Sequence, residues 1–222
     1  MSFGTIYTHE LNPRTVAILA VAKEQGLKLD IIYADKEKNK ENYEKLLQIN
    51  PLGQVPTFVG ADGYVLTECM AIALYITSKS DTTTLLGSTR RDYFDIIRWM
   101  SLANSDLLPA AGGIIIPLIG RQVDGQKDLQ SSVRSFHKDC RLLEDHLTKN
   151  KYLVGDQITL ADFFTVGMLK FPFIMGHKVL NVEYPRLREW FNRVYEMPMF
   201  KEVAGDLHFV DAPFPTPDEK RE

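Results

Sequence analysis

Asn50-Pro51-Leu52-Gly53-Gln54-Val55-Pro56 and Thr67-Glu68-Cys69 carry between them the groups needed to hold a short peptide. Val55 can offer its backbone N–H and C=O to a ligand backbone, which then lies against the protein as an added strand. The next residue must stop donating and turn the chain sharply, as a cis Pro56 does. Glu68 falls at the start of the helix that the pattern predicts over residues 68–78. Free N–H groups and the helix dipole favour negative charge there, whether from Glu68 itself or from a ligand carboxylate. The implied guest is a small peptide with a carboxylate and a free amine, and glutathione fits that description.

These groups must be positioned by the elements around them. Residues 5–8 form a short β-type run, Asn12 has the character of an N-cap, Pro13 suits the first helical position, and an apolar stripe follows through Val16, Leu19, Ala20 and Lys23. Gly26 fits the helix end and residues 29–33 read as a second strand, so the opening β-α-β implies two parallel strands with a right-handed crossover. The mixed charges of residues 35–45 read as a solvated loop and helix face. Residues 57–59 and 64–66 form a hairpin around Asp62-Gly63, and the order β-α-β-(α)-β-β-α is complete near Lys79. It is that of a thioredoxin-like domain. Beyond it, segments near 89–120, 127–149, 160–175 and 184–196 carry helical periodicity, Pro109, Gly112 and Gly113 predict a kink or break, and the proline-punctuated tail from Asp211 reads as extended. The expected architecture is α/β plus all-α: a thioredoxin-like, ligand-binding domain at 1–79, a linker at 80–88 and an all-helical domain at 89–222.

Composition sets bounds on function. The chain has 222 residues, 45% of them hydrophobic, and a formal net charge of -3, which gives no global pull toward nucleic acid or an anionic membrane. Its two cysteines, Cys69 and Cys140, suggest neither a disulfide framework nor a metal site, and the five histidines show no ligand spacing. No signal peptide or spanning segment is read, so a soluble cytoplasmic protein is expected. Thr159-Leu160-Ala161-Asp162 is read as a capping box with Ile158 and Phe163 as its staple, for which Asp162→Ala costs roughly 1 kcal/mol or more of stability.

In order and spacing, several motifs together resemble the cytosolic glutathione transferases over nearly the whole chain: Asn50 through Pro56, Thr67-Glu68, Tyr152-Leu153-Val154-Gly155, Ile158 through Asp162, and Tyr184-Pro185-Arg186-Leu187 through Trp190, Arg193-Val194 and Pro198. Within that family, Leu85-Leu86-Gly87 and Trp99 through Asp106 resemble the transferase-like half of the gamma subunit of translation elongation factor 1. The resemblance implies a homodimer that adds the glutathione thiolate to a small apolar electrophile, with glutathione as co-substrate, and it implies no metal. Detoxification is the associated role.

By that resemblance Val55, next to Pro56, pairs with the cysteinyl backbone of glutathione, and Glu68 and Cys69 hold the γ-glutamyl end. Gln54, with Lys40 or Asn39, contacts the glycyl side, and Asp106 reaches the γ-glutamyl amine across the dimer. The family's activating Tyr or Ser stands in or just after the first strand. Here the turn reads Thr8-His9-Glu10-Leu11-Asn12-Pro13-Arg14, and aligning Arg14 with the arginine of the Ser-type relatives puts Glu10 at the serine position, where a carboxylate repels a thiolate. The substitutes are the Leu11 or Asn12 backbone N–H, the Asn12 amide, the Tyr7 hydroxyl and the Arg14 guanidinium, with the helix-start amides ahead of Tyr7. Asn12 reads equally as a plain N-cap, and Arg14 as a surface or interface residue. Cys69 stands where the family has serine, and a thiol is the weaker donor. The electrophile pocket is expected between Leu11, the 100–118 helix and the C-terminal tail, with Leu107, Leu108, Ile114, Ile115, Ile116 and Leu118 as candidates against their reading as core. Two functions compete with a transferase. One is a non-catalytic scaffold of the elongation-factor type. The other is a glutathione-dependent reductase or peroxidase, disfavoured because no cysteine lies between Tyr7 and Arg14 unless Cys69 is the reactive thiol.

Overall fold

A computed structural model describes residues 2–121 and 128–217, so the expected helix start at 127 and the expectations for residues 1 and 218–222 lie outside it. Four strands, β1 (Gly4–Thr8), β2 (Leu29–Tyr33), β3 (Thr57–Gly60) and β4 (Val65–Leu66), form one sheet in the order β2-β1-β3-β4. β1 and β2 are parallel, as the crossover through α1 (Pro13–Glu24) demands, whereas β3 is antiparallel to both β1 and β4.

Side-chain alternation splits the sheet into two faces. Ile6 and Phe58, opposite one another in the β1/β3 register, turn into the main core with α1 and α3 (Cys69–Thr77). Tyr7 turns the other way, into a small cluster with Ala34 and with Leu46 of α2 (Lys40–Ile49).

The stripe expected on α1 is too narrow. Thr15 through Ile18 and Ala20 through Ala22 are all buried, because the helix is wedged between α3 on one side and α7 and α9 of the helical half on the other. Pro13, Arg14 and Leu19 are half-buried, and its C-terminal end is exposed, where Lys23 pairs with Glu202.

The expected helix near 89–120 is α4 (Arg90–Leu102), a π-helical turn (Ala103–Leu107) and α5 (Leu108–Leu118). The irregularity lies upstream of Pro109, and Gly112 and Gly113 sit inside regular helix. Pro109 has no N–H for the Ser105 carbonyl and its ring crowds that carbonyl, so the ladder slips by one residue before it. The slip is visible in the Leu108 N–H, which bonds to the Ala103 carbonyl.

α6 (Leu129–Lys149) follows, capped by the Asp128 side chain on the Ser131 N–H at 2.9 Å. α7 extends from Leu160 to Glu183, past the expected stop at 175, and passes through the buried Pro172. It ends where Tyr184 meets Pro185, the first residue of α8 (Pro185–Tyr195). The short α9 (Pro198–Ala204) is too brief to show a period in the sequence. The irregular chain after it straps α6 and α7: the Val210 N–H donates to the Ile174 carbonyl at 3.0 Å, and Phe214 packs on Phe136 and against Gly176.

Candidate functional site

The sheet register brings the site together. Tyr7 lies opposite Thr57 and Phe58 opposite Leu66, so the segment after β1, the segment before β3 and the segment after β4 all emerge at one end of the sheet. Those segments are Thr8–Asn12, Gln54–Pro56 and Thr67–Glu68.

The Gln54–Pro56 loop is fixed from beneath. Buried Asn50 donates through Nδ2 to the Gln54 carbonyl at 3.2 Å and to Thr57 Oγ1 at 3.0 Å, and its Oδ1 accepts the Leu52 N–H at 3.2 Å. Thr57 Oγ1 donates to the same Gln54 carbonyl at 2.8 Å. The Val55–Pro56 bond is cis. Among the described residues, no protein group takes the Val55 N–H or C=O, so both are available to a ligand strand. The Gln54 side chain is exposed beside them.

Glu68 is the residue before α3 and adopts φ 66°, a left-handed conformation uncommon for a side chain of this kind. Its side chain is exposed and does not cap its own helix, which leaves the carboxylate uncommitted. Leu11 has φ 58° and is 68% exposed. Among the described residues, the N–H groups of Leu11 and Asn12 find no acceptor in the protein.

The other residues proposed for the thiol divide clearly. Asn12 is buried and its amide is spent: Oδ1 accepts the Arg14 N–H at 3.0 Å, and Nδ2 donates to Thr8 Oγ1 at 3.3 Å, which in turn meets Thr15 Oγ1 at 2.7 Å. Tyr7 lies under α2, on the sheet face opposite α1 and α3. Glu10 is exposed. Arg14 Nε donates to Asn104 Oδ1 at 2.9 Å, and Cys69 Sγ approaches the same oxygen at 3.5 Å. Burial pushes the Cys69 thiol up, against the opposing pull of the Arg14 guanidinium. This argues for a protonated, donating thiol and against a reactive thiolate.

Asn104 therefore joins the start of α1, the start of α3 and the π-helical turn. Sequence reasoning did not single it out as a site residue, because its partners stand 90 and 35 positions away and no local pattern marks them. Asn50 and Thr57 likewise act from beneath the loop.

On the pocket side, Leu107 and Ile114 are sealed in the core and present no surface, whereas Leu108, Ile115, Ile116 and Leu118 are half-buried. The tail touches α6 and α7. Asp106 is exposed on the π-helical turn and adds to the burial that pushes Asp139 of α6 up to about 6. Asn39 and Lys40 stand at the start of α2, half-buried and exposed. Among the described residues there is no group of three or more His, Cys, Asp or Glu side chains able to hold a metal ion, and no helix long and apolar enough to cross a membrane.

The family model for the glutathione S-transferase N-terminal domain matches residues 2–78, and that for the glutathione S-transferase C-terminal domain matches residues 107–198. The chain is 44% identical over 207 residues to glutathione S-transferase mdpJ of Emericella nidulans, covering 93% of each chain. It is 33% identical to elongation factor 1-gamma 1 of Saccharomyces cerevisiae over 98% of its own length and 52% of that protein, so it spans about half of that relative. The crystal structure of the GST-like domain of elongation factor 1-gamma from Saccharomyces cerevisiae superposes with a TM-score of 0.78 at 32% identity, covering 98% of this chain and all of that one.

Proposed function

The chain belongs to the glutathione S-transferase family, and we propose that it is an enzyme that adds the thiolate of glutathione to small apolar electrophiles. The observation that carries this reading is the set of unspent groups at one end of the sheet: the Val55 N–H and C=O, the Glu68 carboxylate, and the Leu11 and Asn12 N–H groups. Val55 aligns the cysteinyl backbone, Glu68 takes the γ-glutamyl amine, the Cys69 backbone N–H at the start of α3 holds the γ-glutamyl carboxylate, and Gln54 meets the glycyl end.

A thiol of ordinary pKa, about 8.5, is mostly protonated at neutral pH. Lowering that value by about 2 takes roughly 2.7 kcal/mol of preference for the anion. With the Asn12 amide spent and Tyr7 turned under α2, the Leu11 and Asn12 N–H groups and the dipole of α1 supply that preference, and the Arg14 guanidinium adds to it. Preorganised backbone donors are well suited to this, since they need no reorganisation when the charge forms. Leu11, Leu108 and Ile115 face the electrophile; Leu107 lends its bulk only from within the core. The same reading takes residues 80–88 as the joint between a glutathione-binding and a helical domain, the protein as a cytoplasmic homodimer, and its role as detoxification.

Glutathione titrated into the protein at pH 6.5, followed by ultraviolet thiolate absorbance with S-methylglutathione as the silent control, tests this. The expected result is a thiolate signal that saturates at one per subunit. Saturable binding without thiolate overturns the activation mechanism. Absence of binding favours the second reading, a scaffold for protein contacts, which the likeness to the elongation-factor domain supports.

A further inference from the structure

One oxygen, Asn104 Oδ1, receives two donors from two different elements, the Arg14 Nε–H and the Cys69 S–H. A carbonyl oxygen suits that position and an amide NH₂ does not, so Nδ2 is turned away from both partners. Among the described residues this NH₂ group meets no acceptor, and Asn104 is only half-buried. Nε is one of five guanidinium N–H donors, and the other four on Arg14 also lack protein partners. The first-turn N–H groups of α3 have no backbone acceptor by construction of the helix, and those of Cys69 and Met70 point toward the Cys69 sulfur. Donors thus gather around the Cys69 side chain, which itself has nothing left to give: its single S–H is spent on Asn104, and burial keeps the proton in place.

On the reading that this is a glutathione site, we infer that the Asn104 side-chain amide donates to the α-carboxylate of the γ-glutamyl group, supplying the hydrogen bond that the Cys69 thiol cannot. The γ-glutamyl end is a zwitterion, and the site divides accordingly. Glu68 is the uncommitted acceptor for its ammonium group, and Arg14, Asn104 and the start of α3 are donors for its carboxylate. Asn104 stands on the π-helical turn, so the helix that continues toward the electrophile contributes to recognition of the co-substrate.

Titration calorimetry of glutathione, and of an analogue with a carboxamide in place of that carboxylate, tests the assignment on four proteins: the wild type, Asn104→Asp, Asn104→Ala and Asn104→Ala/Cys69→Ser. Asn104→Asp keeps the shape and the acceptor for Arg14 and Cys69 but replaces the donor with a negative charge. It should weaken glutathione about tenfold or more, with a much smaller effect on the carboxamide. Asn104→Ala should also weaken glutathione, and adding Cys69→Ser should recover most of the loss, because a serine hydroxyl freed of its acceptor donates in the amide's place. A purely structural Asn104 gives equal losses on both ligands and no recovery, which overturns the inference. So does Asn104→Asp binding glutathione as the wild type does. If Asn104→Asp does not fold, the alanine variant and its serine rescue decide. A wild type that binds neither ligand removes the glutathione reading itself, an outcome separate from a wild type that binds while the variants are unaffected.

Discussion

Among the described residues, Leu11 and Glu68 alone combine a side chain with a left-handed backbone, and both stand at the ligand end of the sheet. Such conformations cost on the order of 1–3 kcal/mol and persist where the surroundings impose them. In Glu68→Ala the Cβ and its backbone cost remain, so the variant isolates the carboxylate. Glutathione binding should weaken by roughly 1.5–3 kcal/mol with no change in melting temperature, and unchanged affinity by calorimetry would remove Glu68 from the site. Asp139 offers a contrasting residue. It is 8% exposed, its Oδ2 has no partner, and burial, then the Asp106 charge, push it up to about 6 against the pull of Lys138. A carboxyl raised in the folded state contributes stability below its unfolded pKa and loses that contribution as pH rises through the folded one. The loss here falls between about pH 4 and pH 6. Asp139→Asn should therefore gain on the order of 1–3 kcal/mol at pH 7.5, and that gain should vanish below pH 4. Chemical denaturation across that range measures both; a variant no more stable at pH 7.5 would refute the burial cost.

At the scale of elements, the capping box before α7 is richer than its sequence signature. The Asp162 carboxylate accepts from the Thr159 N–H at 2.8 Å and the Thr159 hydroxyl at 3.0 Å, and also from the Leu153 N–H at 2.9 Å and the Trp190 Nε1–H at 2.8 Å. It ties the loop before α7 and the middle of α8 to one buried charge, so Asp162→Ala leaves several buried donors unpaired. The expected loss is about 3 kcal/mol or more, above the figure for a simple cap, with glutathione affinity unchanged at low temperature. A melting shift no larger than that of an exposed cap would contradict this network. The motif was legible because Thr-x-x-Asp is local; Trp190 was not, because it arrives from 28 residues away. The same distinction governs the rest. The four strands were readable from short β-branched runs and their turns, and Asn12-Pro13 announced the start of α1. The π-helical turn, the second face of α1 and the length of α7 depend on what packs against them, which periodicity along one segment does not report.

At the scale of the molecule, one contiguous core runs from Ile6 and Phe58 of the sheet through α1 and α3 into α4 to α9. A chain whose central helix is shared between its halves should unfold in one step: amides of β1 and α7 should lose hydrogen-exchange protection at the same denaturant concentration. Two separated transitions would show that the halves stand independently. The helical run from Arg90 to Leu118 packs along α7, and its π-helical turn gives it one residue more than a plain α-helix would hold over the same length. That residue works as an index mark on a dial. At the start of the turn Asn104 meets Arg14 and Cys69; beyond the turn the helix carries the half-buried Leu108 and Ile115. Removing one residue from the turn after Asn104 would rotate everything downstream by about 100°; on the proposed function it would offer the electrophile a different row of side chains while Asn104 kept its register.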